Sequence, residues 1–206
     1  MYLDKLLKTK WEIEKQNEEG DIFVVMKQFS DRTYLHRLCR KIDMKNYQDL
    51  EKSYNIKLLP ELKEFYTYYN GCNLFLNSVN IYGIWLGQSN PIDLALNDIK
   101  DHQEIADKTI SQELLDDIVF FGAVGNYYLY YKQSEITDPK IYLAKSGTII
   151  PSKTFGSIKE TLEYYLKYLI PEYNEQGFRK HPNKDEWCKL YPVKQNKFWG
   201  EIDWED

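Results

Sequence analysis

Between Asp117 and Ile150 the chain repeats one pattern four times: a short apolar and aromatic run, then turn residues. The runs are DIVFFG (117–122), NYYLYY (126–131), KIYLA (140–144) and GTII (147–150). Runs of this length and composition, punctuated this closely, predict a meander of antiparallel strands. Such a sheet must bury a face, so the question becomes which segments cover it.

Four segments have helical spacing. Leu35, Leu38, Cys39 and Ile42 stand at i, i+3, i+4 and i+7, which predicts a helix from near Ser30. In NYQDLEKSYN, Asn46 is the expected N-cap, with Tyr47, Leu50 and Tyr54 on one side. In LLPELKEFYTYYNG, Pro60 suits the first turn and Leu62, Phe65, Tyr66 and Tyr69 form an apolar stripe. Asn70-Gly71 is the expected stop. A last helix is predicted from Ser157, whose Ser-Ile-Lys-Glu is a capping box. Ile158, Leu162, Tyr165, Leu166 and Leu169 face inward. Strands are also expected at DIFVVMKQF (21–29), NLFL (73–76) and VNIYGIWL (79–86). Runs of helices, strands and a helix indicate an α+β fold, a mostly antiparallel or mixed sheet with helices packed on one side. We expect one domain, with a core at about 30–170, an N-terminal extension (1–29) and an aromatic, acidic C-terminal extension (171–206).

Charge and cysteine usage exclude several classes. A net charge of −5 argues against general binding to a phosphate backbone. Cys39, Cys72 and Cys188 form no C-x-x-C, so no zinc ribbon or thiol-redox motif is supported. Neither a leader-like apolar region nor a membrane-length apolar stretch is evident, and a cytoplasmic protein is expected.

The ordered landmarks resemble the SUKH superfamily, which includes yeast cell-wall assembly regulators and many bacterial immunity proteins. They are Leu59-Pro60, Asn70-Gly71, Ile81-Tyr82-Gly83, Val119-Phe120-Phe121-Gly122, Ile141-Tyr142, and Phe155 ahead of Ser157. At GAVGNYY (122–128) the chain departs from the pattern, since many members carry an acidic residue near that glycine. The resemblance implies an α+β fold that works by binding. Its bacterial members neutralise toxins, many of them nucleases, by direct contact. It implies no catalytic constellation and no cofactor.

The chemistry-bearing residues fit that expectation. His36 and Cys39 would share a helix face, but a catalytic pair also needs an orienting group and an anion-stabilising site. GAVGNYY lacks the ending of a phosphate-binding loop and reads as a hairpin turn. From Asp93 to Asp117, eight carboxylates stand against two lysines, a local balance of −6. Asp98, Asp101 and Glu104 lie at i, i+3 spacing and, with Asp116 and Asp117, form either a solvated face or a surface that steers a basic partner. No calcium loop or D-x-D signature accompanies them, so no metal site is expected. Tyr127, Tyr128, Trp199 and Trp204 are the candidate aromatic anchors, because Tyr and Trp dominate interface energetics. The expected partner is a cognate protein toxin, with no nucleic acid or membrane. A regulatory scaffold is the first alternative and an enzyme of unknown class the second.

Overall fold

The computed structural model describes residues 11, 15–16, 20–25, 34–84, 112–146, 148–175, 177 and 180. Its centre is one nine-stranded sheet in which spatial order follows chain order. The strands are β1 (Lys15–Gln16), β2 (Ile22–Val25), β3 (Tyr34–Arg40), β4 (Tyr69–Leu74), β5 (Val79–Ile81), β6 (Ile118–Val124), β7 (Tyr127–Lys132), β8 (Ile141–Lys145) and β9 (Pro151–Phe155). Each adjacent pair is antiparallel. Among the described residues the helices are α1 (Met44–Ser53), α2 (Pro60–Tyr66), α3 (Gln112–Asp116) and α4 (Ile158–Glu172). The α+β fold and the meander are therefore as expected, and β1 and β2 add strands ahead of the stretch that carries the family pattern.

The main core lies between one sheet face and three helices. Tyr47 of α1, Leu62, Phe65 and Tyr66 of α2, and Ile158, Leu162, Tyr165, Leu166 and Leu169 of α4 pack with Cys72, Leu74, Leu129 and Leu143 of the strands. A smaller cluster occupies the opposite face: Phe120, Tyr130 and Ala144, with Leu115 of α3 against them. Consecutive β6 side chains point to opposite faces, Val119 and Phe121 into the main core and Ile118 and Phe120 into the smaller cluster, so both faces of the strand are covered. That is why all seven residues of β6 are buried. The high tyrosine content is largely structural. Tyr66, Tyr130 and Tyr131 bury their rings while their hydroxyls donate to the carbonyls of Tyr82, Ile149 and Lys57, each at 2.7 Å.

Four local expectations are corrected. Residues 34–40 form strand β3, not a helix, because pairing with both β2 and β4 overrides the apolar spacing. His36 is then fully buried and Cys39 only partly so. The cap of α1 is Asp43, whose carboxylate accepts the Lys45 N–H at 2.9 Å, rather than Asn46. Helix α2 ends at Tyr66, and Asn70-Gly71 lie inside β4. The strand expected at 147–150 forms instead at Pro151–Phe155. This is the sheet's last strand, where the missing N–H of proline is tolerated.

Gly71 is required for a reason other than stopping a helix. Its φ is +86°, and a Cβ there would sit 2.7 Å from both Gly83 N and Ile81 O. This close approach lets the neighbouring Asn70 side chain clamp the chain after β5. Asn70 Oδ1 accepts the Ile84 N–H at 2.7 Å and the Tyr47 hydroxyl at 2.8 Å, while its Nδ2 donates to Ile84 O. The segment that reads as a helix with a stop thus fastens α1, β4 and the exit of β5 together.

Candidate interaction surface

The residues singled out from sequence fall at opposite ends of the β6–β7 hairpin. Asp116 and Asp117 precede β6, whose Ile118 pairs with Lys132. Tyr127 and Tyr128 open β7, where Tyr127 pairs with Val124. Six residues of strand, about 20 Å, separate the two groups. Asp98, Asp101, Glu104, Trp199 and Trp204 lie outside the described residues.

At the acidic end, Asp117 has an internal duty. Its carboxylate accepts the Ser134 N–H at 2.6 Å and the Ser134 hydroxyl at 2.7 Å, fixing the 3-10 turn Gln133–Glu135. Gln133 ties the same corner to the α1–α2 linker. Its Oε1 accepts the Lys57 N–H at 2.9 Å and its Nε2 donates to Asp116 O at 3.0 Å. Glu135 accepts the Tyr142 hydroxyl at 2.6 Å and meets Lys132 Nζ at 3.4 Å. Burial, followed by the bond to Glu135 and its charge, pushes the Tyr142 pKa up to about 12. Asp116 itself is exposed. Four carboxylates (Asp116, Asp117, Glu135, Asp138) face two ammonium groups (Lys132, Lys140) here, so this end keeps the negative sign seen in the sequence.

At the opposite end, Tyr127 is 6% exposed and packs in the main core, so its ring is a core element rather than an exposed anchor. Tyr128 is half-buried on the other face, edge-on to Phe120 with centroids 5.5 Å apart. Backbone hydrogen bonds join three turns into one rim. Gly125 N–H donates to Ser78 O at 3.0 Å and Ser146 N–H to Asn126 O at 2.8 Å. Two large apolar side chains stand out on this rim, Leu76 at 45% exposure and Ile150 at 74%. Sequence reasoning passed over both: it placed them at the ends of predicted strands, and only the true strand limits put them in turns.

The interior offers no activated group among the described residues. Burial pushes the Cys39 thiol up and Cys72 up to about 12, the wrong direction for a nucleophile. His36 is fully buried with its Nδ1 bonded to the Phe75 N–H, while Cys39 lies within the register shift between Leu38 and Arg40 of β3. No three His, Cys, Asp or Glu side chains gather as a metal site among the described residues. A cavity of about 20 Å³ between α1, α2 and β6, lined by Leu50, Leu58, Tyr66, Ile84, Val119 and Phe121, has room for one water. Among the described residues no helix is long and apolar enough to cross a membrane.

With that geometry in view, the family is clear. The family model SUKH_6, described as SMI1-KNR4 cell-wall, matches residues 44–166, more than half of the chain. The protein belongs to the SUKH superfamily. No curated protein matches it.

Proposed function

We propose that this protein acts by binding another protein, and that its partner is a bacterial toxin which it occludes in the cytoplasm. The family match carries the reading, since the superfamily's roles are toxin immunity or cell-wall regulation of the Smi1/Knr4 type. The raised thiol pKa values and the water-sized cavity accord with work done at the surface. Asp116, together with Asp98, Asp101 and Glu104 of the adjoining acidic stretch, steers a basic partner. Leu76, Tyr128, Trp199 and Trp204 supply apolar contact. A regulatory partner in place of a toxin is the second reading, favoured by the family's cell-wall description.

The test is affinity capture of the full chain from its native host with quantitative mass spectrometry, followed by kinetics with the purified partner. A secreted toxin supports immunity, and a cell-wall factor supports the regulator. Replacing Asp98, Asp101, Glu104 and Asp116 by Lys lowers the association rate at low salt about tenfold or more and flattens its salt dependence. Unchanged association kinetics remove the acidic end from the interface. Turnover of a small compound by the purified chain overturns the binding reading as a whole.

A further inference from the structure

The β4–β5 turn is held in an unusual backbone state. Phe75, Leu76 and Asn77 have φ of +52°, +53° and +67°. Each is a residue with a Cβ, and the left-handed region is visited by such residues singly, as a rule, and at a cost. Three in succession persist only where surrounding contacts over-determine them. Those contacts are visible. The Leu76 N–H donates to Leu35 O at 3.0 Å, and Ser78 N–H and hydroxyl both donate to Phe75 O. The Phe75 N–H donates to Nδ1 of His36 at 3.2 Å.

His36 is fully buried. Its ring lies 4.5 Å from Phe75 and 5.1 Å from Trp11, both edge-to-face. Because Nδ1 accepts a hydrogen bond, the neutral ring carries its proton on Nε2, and Nε2 has no hydrogen-bond partner among the described residues. The imidazole is therefore a fixed acceptor in an aromatic box, and the bond it accepts is one that an imidazolium cannot accept.

We propose that His36 and the Phe75–Ser78 turn form an acid-released latch: the neutral ring holds the turn through the Phe75 N–H, and a proton from solvent taken onto Nδ1 breaks that bond and opens the turn. This goes beyond the binding reading and does not depend on it. Among the described residues, the elements around His36 bring no compensating charge. β2 presents Val24, β4 presents Leu74, the β4–β5 turn presents Phe75, and the N-terminal segment presents Trp11. On β3 itself, Arg37 is paired with Asp21 and projects to the other face. Beyond Phe75 lies Tyr173, preceded by the buried Glu172 of α4. Neither Asp21 nor Glu172 holds the imidazolium in place, for burial alone brings the His36 pKa from 6.5 down to about 3. The folded value lies below the exposed one, so protons bind preferentially to the open turn. Opening is suppressed fully above pH 6.5, grows as pH falls through 6.5, and stops growing near pH 3.

Amide hydrogen exchange of Phe75 and Leu76 in the full chain, normalised for intrinsic rates, tests this directly. The opening constant of both amides rises about tenfold per pH unit below 6.5, roughly a hundredfold by pH 4.5. In His36→Asn, an amide oxygen replaces the acceptor without titrating, and the pH dependence disappears. Side-chain nitrogen NMR of the wild type gives a second readout that needs no variant. It shows the Nε2–H tautomer at pH 7, with protonation concurrent with loss of the Phe75 and Leu76 amides. An Nδ1–H tautomer, wild-type opening constants flat from pH 7 to 4.5, or the same slope in His36→Asn would each overturn the latch.

Discussion

The β6–β7 turn reverses the chain in two residues, Gly125 and Asn126, and gives its left-handed position, φ +53°, to the glycine. The β4–β5 turn beside it, joined to it by the bond from Gly125 N–H to Ser78 O, takes four residues and gives three left-handed positions to Phe75, Leu76 and Asn77. The first conformation is one that local propensity supplies. The second runs against propensity and is imposed from outside, by Leu35, His36 and the packing of Phe75. The imposed turn drives one side chain fully inside and sets the next, Leu76, 45% exposed on the rim. A local turn can be moved between proteins as a short motif, whereas an imposed one stands or falls with the core beneath it.

The largest break in this comparison comes from removing what holds the imposed turn. Phe75 is fully buried among Trp11, His36 and Tyr173. Phe75→Ala costs about 3–5 kcal/mol, the range for large-to-small changes of a buried aromatic. Urea unfolding of the full chain measures it. A loss under about 1 kcal/mol would mean that the turn stands by local preference after all.

A smaller effect is expected at the local turn. Gly125 is exposed, so Gly125→Ala adds only the conformational penalty of a Cβ at positive φ, about 1 kcal/mol in the same assay. Its loss should add to that of Phe75→Ala only imperfectly, because the Gly125 N–H bond to Ser78 O couples the two turns. Strict additivity would show that the bond carries no coupling.

The same contrast explains how much of the molecule was legible in its sequence. Ser157 with Glu160, Pro60 at the start of α2, and the runs that became β6, β7 and β8 are local signals, and each marks the element it predicts. Strand β3 was misread because Leu35, Leu38 and Cys39 fit helical spacing equally well. Its pairing depends on β2 and β4, which are remote in sequence or masked by their own irregularity. Asn70-Gly71 was marked as special for the wrong reason, since its partners Gly83 and Ile84 follow a whole strand later. On the candidate surface the acidic sign at Asp116 was legible. The burial of Tyr127 was not, because which face of β7 meets the helices is set by pairing with Val124 and Lys145. His36 was singled out only for its spacing from Cys39, and nothing in the sequence pointed to its bond to a turn 39 residues away.

The finest test replaces one residue within the imposed turn by the residue that the local turn already uses. Asn77 is exposed, its φ is +67°, and its side chain accepts or donates no bond on which the turn relies. What it contributes is its carbonyl, which accepts from Asn80 Nδ2 at 2.8 Å. Asn77→Gly keeps that carbonyl and removes the Cβ penalty at positive φ, but it also gives the unfolded chain more freedom to lose. Asn already tolerates this region better than Phe or Leu, so the two terms nearly cancel. The expected change is within about 0.5 kcal/mol of zero, with the sign toward stabilisation. Leu76→Gly, at φ +53°, relieves a larger backbone penalty and should stabilise more than Asn77→Gly, despite losing a half-exposed side chain. If glycine at either position destabilises by 1 kcal/mol or more, the left-handed run is not strained. The latch would then hold a relaxed turn rather than a loaded one.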